Sequence, residues 1–373
     1  MHREWHTKTV QRVSLSATLV GLAGLSCLFA GQSLVEQRAP ISALSGSPRG
    51  QDKSGAFTAS PAAGEAAELN AAAVSALSAR QYGQAIALLN RARRLLPADK
   101  SIAFNLGLAC VNSGRFTEAI EPLNFAATEP GRIATVHFLL GTANFEIGSF
   151  RLAAEHLEAV RADPKYAENA LYLLEESYRK SGDARAQQAF LDLVILKPDS
   201  ALVHKLLGTA YDAQGQFPEA LAEFKQAAES DASLPEVRFD AGLLCLKLHD
   251  TEAARHWLQA ELALNPCFAA AHYYLGDIER KASRWAPAAE SFRKAIACAP
   301  DYADAQLALG VALQAQGLGN AAVPVLRRAI ELAPGKSEAH FQLARALAKV
   351  GRAEESRVEW KKAQALASAQ DTK

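Results

Sequence analysis

A glycine returns along this chain at a nearly fixed interval, and no other feature limits the possible folds as strongly. It stands at Gly107, Gly141, Gly208, Gly242, Gly276 and Gly310, 34 residues apart except for one interval of 67. That double interval holds a degenerate unit, LLEESYRKSGDARAQQAFLDLVILKP, with Glu175 in the glycine place. Carrying the period both ways gives nine units, starting near Ala66, Lys100, Ala134, Glu168, Ala201, Pro235, Ala269, Ala303 and Ser337. The 373 residues would otherwise suggest two or three globular domains. A repeating chain instead builds an array in which each unit buries its apolar face against its neighbours.

Within each unit, apolar residues recur at helical spacing in two runs separated by a polar turn. Gly148, Gly182, Gly215, Gly317 and Gly351 sit in that turn, where the first helix must stop. Pro97, Pro130, Pro164, Pro198, Pro266, Pro300 and Pro334 close the second helix. Small residues at positions eight and twenty let two helix axes approach. A large apolar residue at position twenty-four, from Leu89 to Trp360, is expected to fill the space between units. Unit four breaks the rule, with Glu175 and Gln187 at the two small places, so looser packing is expected there.

This spelling resembles the tetratricopeptide repeat, over about four-fifths of the chain. The resemblance implies an all-α, right-handed α-solenoid of stacked helix-turn-helix (TPR) hairpins over residues 66–373. It also implies a concave groove, lined by positions two, five, nine, twelve and thirteen of the first helices, that binds a protein or peptide. Position five holds Phe104, Phe138, Tyr172, Phe239, Tyr273 and Phe341, six aromatic side chains in a chain that is 7% aromatic, and Lys205 in unit five. Phe145 adds a ring at position twelve. Glu176 with Arg179, and Asp277 with Arg280, bring charge to the same face. Two readings stand for these residues. The rings either line a trough for an extended peptide or fill space between neighbouring first helices. The charge pairs, at i and i+3, either read a partner or form local surface pairs.

Other chemistries find little support. Forty basic and forty acidic residues cancel, so no basic stripe calls for nucleic acid. No Gly-x-Ser-x-Gly or His-Glu-x-x-His appears, and APGKS at 333–337 lacks the first glycine of a phosphate loop. The expectation is a protein that is not an enzyme, with no catalytic residue, cofactor or metal. His137, His204, His272 and His340 share position four but lie at least two units apart, too far to hold one ion together. Cys110 and Cys245 read as small core residues, and Cys267 and Cys298 lie near unit ends without zinc spacing. Five cysteines do not make a disulfide framework.

The first 31 residues run from a short basic leader into VSLSATLVGLAGLSCLFAG, which carries no charge. That pattern fits an export signal or an amino-terminal membrane anchor. Gly24-Leu25-Ser26-Cys27 partly resembles a lipoprotein box. Residues 32–65, rich in Ser, Gly, Ala and Pro, read as a flexible tether. The basic leader would keep its own end cytoplasmic and place the repeats in the bacterial periplasm. The functional expectation is a protein-binding scaffold or adaptor in an envelope assembly. The alternatives are a periplasmic chaperone-like holder of unfolded chains, or an accessory subunit of a glycosyltransferase or polysaccharide-export system.

Overall fold

The computed structural model describes residues 61–127 and 131–371. The leader, its apolar run and the tether up to residue 60 lie outside the described residues. Eighteen helices and no strand appear among the described residues. They form two compact units, the first running to Gln214 and including residues 229–234, the second holding the remainder from Gly215.

In the first unit α1 (Pro61–Ser78) pairs with α2 (Tyr82–Leu95), α3 (Lys100–Asn112) with α4 (Phe116–Ala126), α5 (Ile133–Glu146) with α6 (Phe150–Glu158), and α7 (Ala167–Ser181) with α8 (Ala186–Leu196). Helix α9 spans Ala201–Ala213. Helix α10 (Phe217–Ser230) opens the second unit. There α11 (Val237–Lys247) pairs with α12 (Thr251–Leu264), α13 (Ala269–Lys281) with α14 (Trp285–Cys298), α15 (Ala303–Ala315) with α16 (Gly319–Leu332), and α17 (Ser337–Lys349) with α18 (Ala353–Asp371). The fold is an all-α solenoid of helix-turn-helix hairpins.

Local chemistry starts several of these helices. Asp99 accepts from the Ser101 and Ile102 amides at 2.8 and 3.0 Å, and Asp250 from the Ala253 amide at 3.0 Å, each satisfying donors that a helix start leaves free. Between the helices of every hairpin one residue takes the left-handed conformation, at positions 80, 114, 148, 182, 215, 249, 283, 317 and 351. Six are glycine. Arg80, His249 and Ser283 hold φ of 57°, 61° and 58° at the cost that a side chain incurs there.

The hairpins close by one repeated contact. A Cβ added to Gly141 would lie 2.6 Å from Leu157, and one on Gly276 2.7 Å from Phe292. Gly107 faces Leu123, Gly242 faces Leu258 and Gly310 faces Leu326 in the same way. Position twenty-four therefore fills the hollow over position eight of its own hairpin, rather than the space between units. These large residues are fully buried from Leu89 through Leu326, apart from unit four, where Leu191 is half-buried. Trp360, whose hairpin has Ala344 rather than glycine at position eight, is 44% exposed and lies beside Phe341.

Unit four solves the problem differently. Helix α8 starts four residues after Gly182, whereas α6 starts two after Gly148. The turn is longer, while α8, at 11 residues, is as long as α4. The buried small and large residues thus become Ala189 and Leu193, at 4% and 0% exposure, two places later than Gln187 and Leu191. Gln187 does not crowd the contact. Beyond it the packing thins: α8 touches α9 sparsely, and Ile195 and Leu196 near its end are 79% and 51% exposed.

Glu175 keeps the glycine place of α7 and is buried. Its Oε1 lies 3.5 Å from Arg179 Nε, while Oε2 has no hydrogen-bond partner. Burial, and then the neighbouring Glu176 charge, push its carboxyl up to about 8.

A disulfide joins Cys267, in the loop before α13, to Cys298, the last residue of α14, with Cα atoms 5.3 Å apart. The sequence expectation left these two cysteines unpaired. An antiparallel hairpin brings its entry and exit together, and these cysteines sit at the entry and exit of one hairpin. Closing a loop across a separation of 31 residues removes unfolded-chain entropy worth about 3–4 kcal/mol. Cys110 and Cys245 are free and buried.

Two predictions follow from these contacts. Replacing Arg80, His249 or Ser283 by Gly should raise stability by about 0.5–1 kcal/mol each, whereas Gly141→Ala should lower it by about 1–3 kcal/mol; thermal melts read both, and a destabilising Ser283→Gly would contradict the first. Glu175 binds a proton in the folded state that the unfolded chain, near 4.5, has already released. Its contribution is fully present below about pH 4.5 and is lost as pH rises towards 8. Urea unfolding across this range should show stability falling with pH in the native chain and a flatter profile in Glu175→Gln.

Candidate functional site

The first helices carry the residues that sequence spacing brings to one face. In the first unit, Phe104 on α3 and Tyr172 on α7 are 2% and 5% exposed and face the interior. The Arg132 guanidinium lies over the Phe104 ring at 4.7 Å. Lys205 on α9 is buried along its stem, with Nζ 5.9 Å from the Tyr172 ring centroid. Phe138 and Phe145 on α5 are half-buried. Phe138 stacks on Tyr166 at 4.6 Å, and Phe145 meets Phe150 edge-on at 5.7 Å, with Lys180 Nζ 5.8 Å from the Phe145 ring. Glu176 and Arg179 on α7 are joined in a charged hydrogen bond.

In the second unit, Phe239 on α11 is buried, edge-on to Phe268 at 5.0 Å. Tyr273 on α13 is half-buried among Tyr274, Phe292 and Tyr302, with centroids 5.3, 5.7 and 5.2 Å away. Burial first, and Asp277 second, push its phenol up to about 12, so it stays a neutral hydroxyl. Asp277 accepts from Arg280 at 2.6 Å and pairs with Lys281 at 3.0 Å on the same helix. Phe341 on α17 is half-buried beside Trp360, at 5.2 Å.

The twelve side chains therefore divide. Phe104, Tyr172, Lys205 and Phe239 are buried. Phe138, Phe145, Tyr273 and Phe341 keep accessible edges, and the two carboxylate–arginine pairs lie on α7 and α13. Three rings of position five meet an aromatic residue just ahead of the next first helix, namely Tyr166, Phe268 and Tyr302. The sequence carried that signal in Tyr166-Ala167, Phe268-Ala269 and Tyr302-Ala303.

The position-four histidines are engaged locally. His272 Nε2 lies 3.0 Å from the Pro266 carbonyl oxygen, and His340 Nδ1 2.5 Å from Glu359 Oε2. His137 meets a partner that its own position does not reveal, His156 on α6. Among the described residues no three His, Cys, Asp or Glu side chains gather as a metal cluster, and no helix is long and apolar enough to cross a membrane.

A tetratricopeptide repeat model matches residues 70–131, 176–235 and 307–370, and a TPR repeat model matches residues 276–317. No curated protein matches the chain. Among solved structures, that of the APC/C hetero-tetramer Cut9-Hcn1 is similar with 16% identity and a TM-score of 0.55, over 75% of this chain and 55% of that one. MamA of Desulfovibrio magneticus RS-1 is similar over 46% of this chain and 97% of that one, with 22% identity and a TM-score of 0.43. YrrB, described as a TPR protein with an unusual peptide-binding site, is similar over 48% of this chain and 92% of that one, with 18% identity and a TM-score of 0.42. Identities this low speak to the fold alone. With the family models matched along both units and the hairpins formed where the period places them, the chain belongs to the tetratricopeptide repeat family.

Proposed function

We propose that this chain is a non-catalytic adaptor that holds an extended segment of a protein partner against its first helices, in the periplasm of a bacterial cell. One observation carries the binding reading: in each unit, half-buried aromatic edges and an intrahelical charge pair lie on the same first helix or on successive first helices. In the first, Phe138 and Phe145 on α5 accompany Glu176 and Arg179 on α7; in the second, Tyr273 shares α13 with Asp277 and Arg280. Aromatic edges give contact area at low entropic cost, and the charged groups select the partner's register.

The location rests on a separate observation. A disulfide between Cys267 and Cys298 persists in an oxidising compartment and is rare in a reducing cytosol. The basic leader and apolar run at residues 1–31 agree with export and with membrane contact through that segment only. A second reading, a holder of unfolded chains, is favoured by the exposure of Ile133, Leu152 and Ile195 at 48%, 50% and 79%.

Glu176→Gln and Arg280→Gln each break an ion pair within one helix whose carboxylate is largely covered, so a thermal melt of each variant first shows that it remains folded. Photo-crosslinking from position 145 should capture one dominant partner, and the two substitutions should weaken that capture by about tenfold or more. A broad set of captured clients, each weakened slightly, would favour the holder instead. Alkylation of thiols in whole cells before denaturation should leave Cys267 and Cys298 unmodified because they are bonded; finding them as free thiols would overturn the assigned compartment.

A further inference from the structure

Position four of a hairpin faces position twenty-three across its two antiparallel helices. In the last hairpin these are His340 and Glu359, and His340 is engaged on both sides, with Nε2 3.3 Å from the Pro334 carbonyl oxygen. In the third hairpin both are histidines. His137 on α5 and His156 on α6 bring Nδ1 to within 3.2 Å of Nδ1, with ring planes inclined by 49°. Both side chains are half-buried, so water reaches the pair.

That separation matches a metal's bite. Two nitrogens about 2.05 Å from a tetrahedral ion stand about 3.3 Å apart, whereas neighbouring ligands of a square-planar ion stand about 2.9 Å apart. We propose that His137 and His156, juxtaposed across the third hairpin, form a two-nitrogen site for Zn²⁺, with water completing the tetrahedron.

The proton inventory closes. In the free pair one Nδ1–H donates to the other ring's Nδ1 lone pair. Zn²⁺ takes both Nδ1 lone pairs, and the donor ring's proton passes through water to its own Nε2. Each imidazole remains neutral and no proton is released. The ion would join α5 to α6, the helices already held together by Leu157 over Gly141. With two protein ligands, the site is an exchangeable one rather than a closed structural zinc centre.

Calorimetric titration of the untagged full chain with ZnCl₂, paired with hydrogen exchange, tests this. One equivalent should bind and slow amide exchange across residues 133–158. His137→Ala and His156→Ala should each weaken that binding by about tenfold or more. His156→Asn, which keeps a polar side chain in place, serves if His156→Ala fails to fold. Glu359→His, opposite His340, should add a second equivalent. Equal zinc affinity in the native chain and the His156 variants would overturn the proposal, as would unchanged exchange at 133–158 or an unchanged stoichiometry in Glu359→His.

Discussion

Everything in this molecule depends on a hollow and a plug. Where position eight has no side chain, a leucine or phenylalanine sixteen residues later lowers itself onto the bare helix backbone. The two axes come close only because nothing stands between them. This one contact fixes the rotation of both helices in a hairpin, and with it the faces turned to the neighbours and to water. Small alanines at position twenty, such as Ala119, Ala153 and Ala288, are fully buried beside it and keep the approach tight. Since each hairpin closes on itself and then leans on the next, no central core has to grow as units are added.

The proposed binding surface is a by-product of that arrangement. The first helices present what the hollow does not consume. Some position-five rings sink inward, as Phe104 and Tyr172 do, and others leave an edge outside, as Phe138 and Tyr273 do. The difference lies in the company of each ring. Phe104 is roofed by Arg132, whereas Tyr273 leans on Tyr302 and keeps part of its face in water. Charge pairs on α7 and α13 are satisfied within their own helices, so they can meet a partner without first leaving a buried carboxylate alone.

Much of the fold was legible in the sequence because the contact that builds it is written in the extremes of side-chain size. A glycine eight places in and a large residue at twenty-four are hard to mistake when they recur in register. What escaped was whatever the period averages away. In unit four a longer turn shifts the second helix along the chain, so Ala189 and Leu193 replace Gln187 and Leu191 in the contact. The left-handed turns at Arg80, His249 and Ser283 lack the glycine that marks the others. The Cys267–Cys298 bond and the His137–His156 pair each join a first-helix region to a second helix, where spacing along the chain hides proximity across the hairpin. The candidate site was legible in composition but not in depth, since a ring at position five reads the same whether it is roofed or bare.

The bond between Cys267 and Cys298 has a mechanical meaning. A repeat array tethered at one end and gripped at the other can unravel hairpin by hairpin under load, lengthening as each gives way. The stretch between these two sulfurs cannot add its length, because force passes through the covalent link and bypasses α13 and α14. Tyr273, Asp277 and Arg280 lie inside that bypass. Under tension that opened the rest of the second unit, this segment of the proposed binding surface would be the part shielded from the pull.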